Sequence, residues 1–285
     1  MAERLGPRGL KQGGGALERL DVGGVRLAFR QEGEGEPVLW VPPLGGTHAA
    51  LNHLRRSLPP CRTILYDPRG LGRSDRPASG YTVDQAAADA WGLLDGLGVE
   101  AAVLAGVSWG GTVVQTMARQ RPRRVRGLLL ISTWLGPDPH RDELIRVWAE
   151  LFGRVPLELF YREVHLWTFA PDFYRTASTA VRRFQQGLAM GRDHPDPETF
   201  QAMARGALAF DGRGPWPVLA GPVLVLVGDE DRVTPPEEGA RLAAAIPGAE
   251  LRVVPGRGHG LLWEAPDVVA AALGELLDRL EVSGG

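Results

Sequence analysis

Short apolar runs alternate with longer stretches of helical periodicity along most of the chain, and no internal repeat interrupts them. Leu20 to Val22 and Val25 to Phe29 flank Gly23-Gly24, a two-residue turn signal, so the spacing predicts an opening β-hairpin. Further buried strands are predicted at Val38 to Val41, Thr63 to Tyr66, Ala102 to Leu104, Val125 to Ile131, Val223 to Val227 and Leu251 to Val254, each bounded by Gly, Pro or Asp. Thr82 with Gln85 three residues on is a capping-box start for a helix that runs to about Leu97 and stops at Gly98. Gly111 to Gln120 and Pro266 to Leu280 read as two more helices. Strands alternating with helices predict an α/β fold with a mostly parallel sheet covered by helices.

The alternation stops between Leu135 and Trp216, where strands vanish and helical periodicity continues. Seven of the eight phenylalanines lie there (Phe152, Phe160, Phe169, Phe173, Phe184, Phe200, Phe210), with Trp148, Trp167, Tyr161 and Tyr174. The chain therefore divides into a tail at 1–18, expected to be mobile, an α/β core made of 19–134 and 217–285, and a helical insert at 135–216. Most of the insert's rings are expected to form its own small core, and some to line an apolar pocket where the insert lies over the carboxyl edge of the sheet.

Composition narrows the function. The 285 residues are 44% hydrophobic and 23% charged, which fits a globular protein and excludes low-complexity classes. Thirty-two Lys plus Arg against 34 Asp plus Glu leave a formal charge of -2, so no global basic field exists to bind a phosphate backbone, and nucleic acid is not an expected partner. No stretch reaches the roughly 18 apolar residues of a membrane span, and no membrane partner is expected. Cys61 is the one cysteine, so no internal disulfide can form and a cytoplasmic setting is expected. No Cys/His cluster has metal-ligand spacing.

Gly106-Val107-Ser108-Trp109-Gly110 matches G-x-S-x-G between a predicted strand and a predicted helix. Such a turn is tight and strained, needs glycine where side chains would collide, and exposes the central hydroxyl at the end of the sheet. A serine hydroxyl is a weak nucleophile at neutral pH, so it needs an imidazole to take its proton and a carboxylate to orient that imidazole. Both candidates follow in the required order. Gly228-Asp229-Glu230-Asp231-Arg232-Val233-Thr234-Pro235 succeeds one late strand and Pro255-Gly256-Arg257-Gly258-His259-Gly260 the next. His48, His53, His140, His165 and His194 lack this setting and are read as surface or cap residues.

With these motifs the chain resembles the α/β-hydrolase fold superfamily, in its small cap-bearing branch, over about Leu20 to Leu280. Asp67-Pro68-Arg69-Gly70-Leu71-Gly72-Arg73-Ser74-Asp75 is similar to the family's D-x-R-G-x-G-x-S segment and is expected to form a structural turn beside the nucleophile. The resemblance implies Ser108 as nucleophile, His259 as base and Asp231 as acid, with Asp229 and Glu230 as the other acids in that turn, and makes 135–216 the cap. Glu264 and Pro266 fit the closing segment as helix-start residues. The oxyanion hole is implied to be the backbone N–H groups of Leu44 and Trp109. The family's usual His-Gly before the second donor is replaced by Pro42-Pro43, whose locked φ and missing N–H stiffen the approach to Leu44-Gly45-Gly46-Thr47. Trp134, Trp167, Phe169 and Leu261 are the candidate substrate contacts.

A serine at the elbow disfavours the dehalogenase and epoxide hydrolase branches, which attack with an aspartate, and the proline pair departs from the proline iminopeptidases. The expected activity is hydrolysis of a small or medium apolar carboxylic ester or lactone, with no cofactor. Carbon–carbon bond hydrolysis of dienone-type substrates, cofactor-free perhydrolysis and ligand sensing with a retained triad are the alternatives.

Overall fold

A computed structural model describes residues 17–191 and 194–283, so most of the expected N-terminal tail lies outside the described residues. The opening hairpin is β1 (Glu18–Asp21) and β2 (Arg26–Glu32), turning at Gly23 and Gly24, both at positive φ. Six further strands follow: β3 (Pro37–Val41), β4 (Arg62–Tyr66), β5 (Ala102–Val107), β6 (Val125–Ile131), β7 (Val223–Gly228) and β8 (Ala249–Val254). They form one eight-stranded sheet in the order β1-β2-β4-β3-β5-β6-β7-β8. β1 and β2 pair antiparallel, as does β2 with β4, and every other pairing is parallel.

Alternate side chains leave a strand on opposite faces, and both faces here are covered. Leu39 and Val41 of β3 point into one core, shared with α1 (Val83–Gly96), α2 (Trp109–Gln120) and, through Leu242, α7 (Pro236–Ala245). Val38 and Trp40 point into the other, shared with α8 (Leu261–Glu264) and α9 (Pro266–Ser283). Thr82 caps α1 as expected: its hydroxyl accepts from the Gln85 N–H at 3.1 Å, while the Gln85 side chain donates to Asp89 at 3.2 Å, and Gly98 at φ 67° lets the chain leave α1.

Two expectations need correction. The helix after Ser108 starts at Trp109 rather than Gly111, because the glycines that weaken its propensity are held by tertiary contacts. The β8 run is buried only in part: Val254 is in the core, but Leu251 is 38% and Val253 42% exposed, since β8 is an edge strand paired with β7 alone among the described strands.

Between β6 and β7 the described chain holds helices α3 (Pro139–Leu151), α4 (Leu157–Thr168), α5 (Pro171–Met190) and α6 (Pro197–Leu208). No helix among the described residues is long and apolar enough to cross a membrane.

Candidate active site

The loops that follow β3, β5, β7 and β8 leave the carboxyl edge of the sheet, where open α/β sheets assemble their sites. All six residues of β5 are buried, and the strand ends in Ser108 at φ 54°, ψ -119°. That conformation costs a non-glycine residue roughly 1–3 kcal/mol and persists only where the surroundings impose it. Here they do. The Ser108 N–H donates to the Ile131 carbonyl at 2.9 Å, while its carbonyl accepts from the Gly111 N–H at 2.9 Å and the Thr133 hydroxyl at 2.7 Å. A Cβ on Gly106 would meet the Gly110 carbonyl carbon at 2.6 Å, and one on Gly110 the Pro42 carbonyl oxygen at 2.6 Å, so the turn closes only with glycine at both places.

His259 and Asp231 arrive from the other two strands. His259 Nε2 lies 3.0 Å from Ser108 Oγ, and His259 Nδ1 lies 2.9 Å and 3.1 Å from the Asp231 carboxylate oxygens. All three side chains are buried, with Asp231 only 3% exposed. Asp231 Oδ1 also accepts from the Val233 N–H at 2.9 Å and the Thr234 N–H at 2.8 Å, an Asx turn that satisfies a buried carboxylate. The Thr234 hydroxyl donates to Asp231 Oδ2 at 2.9 Å and sits 3.2 Å from His259 Nδ1. Asp229 accepts instead from the Gly256 and Arg257 N–H groups, and Glu230 is exposed, so of the three acids in the turn Asp231 alone meets His259.

The loop after β3 turns at Leu44-Gly45, with the Gly46 N–H donating to the Pro43 carbonyl at 2.8 Å and Gly45 at φ 71°. Its far end is moored by Asp67. Oδ1 accepts from the His48 N–H at 3.0 Å and meets His48 Nδ1 at 2.5 Å, while Oδ2 accepts from the Arg73 N–H at 2.9 Å. The segment from Asp67 to Asp75 is therefore a structural turn that also ties down the Leu44 loop. Among the described backbone hydrogen bonds outside helices and strands, neither the Leu44 nor the Trp109 N–H is a donor.

Rings from the insert lean on these loops. Phe152, Phe160 and Phe200 form one cluster, with Phe152 stacked on Phe200 at 4.4 Å and Phe160 edge-on to both, and Leu44 and Val233 pack with it. A Cβ on Gly45 would touch the Phe200 ring at 3.0 Å. A second group joins His165, stacked 4.7 Å from Phe169 and 5.3 Å from Phe184, to Trp263 beside Phe184. Burial pushes the His165 imidazole down to about 3, so it is neutral near pH 7. His165 is thus a packing residue buried within the insert, in keeping with a surface or cap role, whereas His48 is a half-buried partner of Asp67 rather than a surface residue. Neither pairing is encoded locally.

The candidate contacts separate. Phe169 abuts the His259 loop, where a Cβ on Gly260 would touch its ring at 2.5 Å. Trp167 is half-buried and donates its indole N–H to Glu163 at 3.0 Å. Trp134 lies in the core under an Arg141 guanidinium 4.7 Å from its ring, and Leu261 is fully buried in the α9-side core, so both side chains are spent on packing. Sequence reasoning missed Thr133, Thr234 and the carboxylate of Glu264. The D-x-x-T spacing after Asp231 was the readable signal for Thr234.

Fold and motif together define a class. The chain belongs to the alpha/beta hydrolase fold family, whose profile matches residues 37–266. It is similar to a thermophilic esterase from Thermogutta terrifontis, at 30% identity and TM-score 0.80, covering 92% of this chain and 99% of that one. It is similar also to Est816, described as an N-acyl homoserine lactone degrading enzyme, at 25% identity and TM-score 0.75, covering 90% of this chain and 99% of that one. Polyketide synthase ThaQ of Burkholderia thailandensis is 32% identical over 296 residues, 99% of this chain, and the chain spans 14% of that protein's length.

Proposed function

We propose that the protein is a serine hydrolase that cleaves a small or medium apolar carboxylic ester or lactone through an acyl-enzyme intermediate. The observation that carries this reading is the continuous Asp231–His259–Ser108 hydrogen-bond chain, 2.9 Å and 3.0 Å per step, ending on a strained serine at the carboxyl edge of the sheet. Its esterase and lactone-degrading relatives support the ester class.

In the proposed reaction Ser108 Oγ adds to the substrate carbonyl while its proton passes to His259 Nε2, and Asp231 stabilises the imidazolium through Nδ1. The carbonyl π pair moves onto oxygen, and the N–H groups of Leu44 and Trp109 hold the alkoxide. Collapse expels the alcohol with the proton from His259 and leaves Ser108 acylated. Water, deprotonated by His259, then repeats the sequence and releases the acid. Residues 135–216 act as the cap, a reading supported by Phe169 against Gly260 and Phe200 against Gly45. Phe169 and Trp167 are its proposed acyl walls. The single cysteine favours a cytoplasmic setting. The ThaQ similarity favours a second reading of the same site, in which the acyl group is a polyketide chain.

A chain-length series of p-nitrophenyl esters with several lactones, run on wild type and Ser108→Ala together, tests the assignment. Activity should peak at one acyl length and fall by about 10⁴-fold or more in kcat in the variant, as for removal of a serine nucleophile. Comparable turnover in Ser108→Ala overturns it, and turnover of a dienone with none of any ester moves the reaction to carbon–carbon cleavage.

A further inference from the structure

Glu264 lies five residues after His259 and is 6% exposed, although carboxylates are seldom buried without a partner of opposite charge. Its ligands are backbone. Oε2 accepts from the Gly258 N–H at 3.1 Å and from the Ala170 N–H at 3.2 Å, and Oε1 accepts again from Gly258 at 3.2 Å. Gly258 immediately precedes His259, whereas Ala170 is one of the two residues between α4 and α5, 94 positions from Glu264 in sequence. The carboxylate therefore joins the loop that carries the imidazole to a corner of the helical insert.

Two other features seat the same joint. The Gly260 N–H donates to the Thr168 carbonyl at 2.8 Å, so of the residues on either side of His259 one is bonded to the 168–170 corner directly and the other through Glu264. A Cβ on Gly258 would come within 2.7 Å of both the Ala170 nitrogen and the Thr168 carbonyl, so the two backbones approach as closely as glycine permits. Burial raises the Glu264 carboxyl, and the Gly258 and Ala170 N–H groups, with Arg257 nearby, act against that rise.

We infer that Glu264 is a positioning residue that clamps the His259 loop to the α4–α5 corner, so that the seating of the insert sets the reach of His259 Nε2 toward Ser108. The inference rests on the serine hydrolase reading for its kinetic consequence, but the clamp itself can be read without turnover. It gives the insert a part in the chemical step besides enclosing the substrate, because displacing the 168–170 corner pulls on Gly260 directly and on Gly258 through Glu264.

Ala170 offers a way to cut the link. Its φ of -61° suits proline, and Phe169 before it, at φ -102°, ψ 142°, is already in the region that precedes proline. Ala170→Pro deletes the N–H that meets Glu264 and puts the ring Cδ in its place, so the carboxylate must draw away from the corner while the local φ/ψ angles stay allowed. The experiment compares wild type, Ala170→Pro, Glu264→Gln and the double variant by hydrogen exchange over 255–262 and by kcat and KM on the best p-nitrophenyl ester. Exchange should quicken about tenfold in each single variant, the worth of one hydrogen bond to a charged group. In Glu264→Gln, kcat should fall about tenfold with KM within about twofold, and the double variant should be no slower than Glu264→Gln alone, since both changes cut one link. Unchanged exchange in Ala170→Pro overturns the clamp whatever the activity, and does so even if Glu264→Gln fails to fold. Faster exchange with wild-type kcat, or losses that multiply in the double variant, overturns the positioning role. A wild type that exchanges as expected but turns over no ester refutes the hydrolase reading and leaves the clamp standing.

Discussion

The Ser108 turn and the helical insert hold their residues in place by different means. Around Ser108 the geometry is backbone: a strand end, a helix start, three hydrogen bonds to main-chain atoms of the serine, and two glycines whose missing Cβ atoms admit neighbouring carbonyls. In the insert the geometry is side chain: Phe152, Phe160 and Phe200 form one cluster and His165, Phe169 and Phe184 another, which meets Trp263 of α8, so the insert touches the sheet's loops through rings. Backbone contacts tolerate no substitution, whereas ring packing can be resized at a graded cost. A proposed chemistry built on the first and a proposed specificity built on the second can change independently, except where Glu264 joins them.

The sharpest break is Gly110→Val. Its Cβ alone would sit 2.6 Å from the Pro42 carbonyl oxygen, and two further methyl groups leave the β3 loop no path. A loss on the order of 5 kcal/mol is expected, at the exceptional end for one substitution. Thermal unfolding and soluble yield measure it, and a variant that melts with wild type would refute the backbone half of the comparison. Phe200→Ala should cost about 3 kcal/mol, the lower range for deleting a buried phenyl ring, yet leave a folded protein. Its preferred acyl length should grow, because the Phe200 ring borders Gly45. A stability loss with an unchanged acyl profile would separate that cluster from the substrate.

The same contrast explains what the sequence disclosed. The Ser108 turn was legible because its constraint is local: G-x-S-x-G between a strand and a helix states the close approaches in five residues. His259 and Asp231 were legible because each follows a strand at a family-like spacing. The placement of β8 was not, since nothing within Leu251 to Val254 says that no strand lies beyond it, and two of its apolar side chains are half in solvent. His165 was placed with the surface and cap residues, but its ring partners Phe169 and Phe184 were not legible, because a lone histidine in a helix gives no sign of the rings on either side. Glu264 sits in a helix-start pattern, and its decisive partner, Ala170, is 94 residues away. Long-range side-chain pairings are set by tertiary structure, which one chain's local periodicity does not encode.

His165 makes the stability of the insert depend on pH. Its imidazole is held at about 3 in the folded protein against 6.5 when free, so between those values the unfolded chain binds a proton that the folded one does not. Acid therefore favours unfolding, by about 1.4 kcal/mol per pH unit, or about 2 kcal/mol from pH 6.5 to 5. Glu264, raised by burial, acts in the opposite sense, so the quantity to compare is the difference in slope between wild type and His165→Leu in denaturant titrations. Equal slopes would mean that the ring stack opens to water.

The smallest effect concerns Thr234, on the backbone side of the comparison but acting through a side chain. Its hydroxyl donates to Asp231 Oδ2 at 2.9 Å and lies 3.2 Å from His259 Nδ1, so it fixes the carboxylate that orients the imidazole. Thr234→Val keeps the shape of the fully buried side chain and removes only that donor. Asp231 retains both backbone N–H bonds and His259, which limits the expected loss to about tenfold in kcat, near 1.4 kcal/mol, with KM unchanged. A fall of a hundredfold or more would mean that the hydroxyl, rather than the Asx turn, holds the acid in place. No change would mean that the two backbone bonds suffice, and that the orientation of His259 is as fully written in the main chain as that of Ser108.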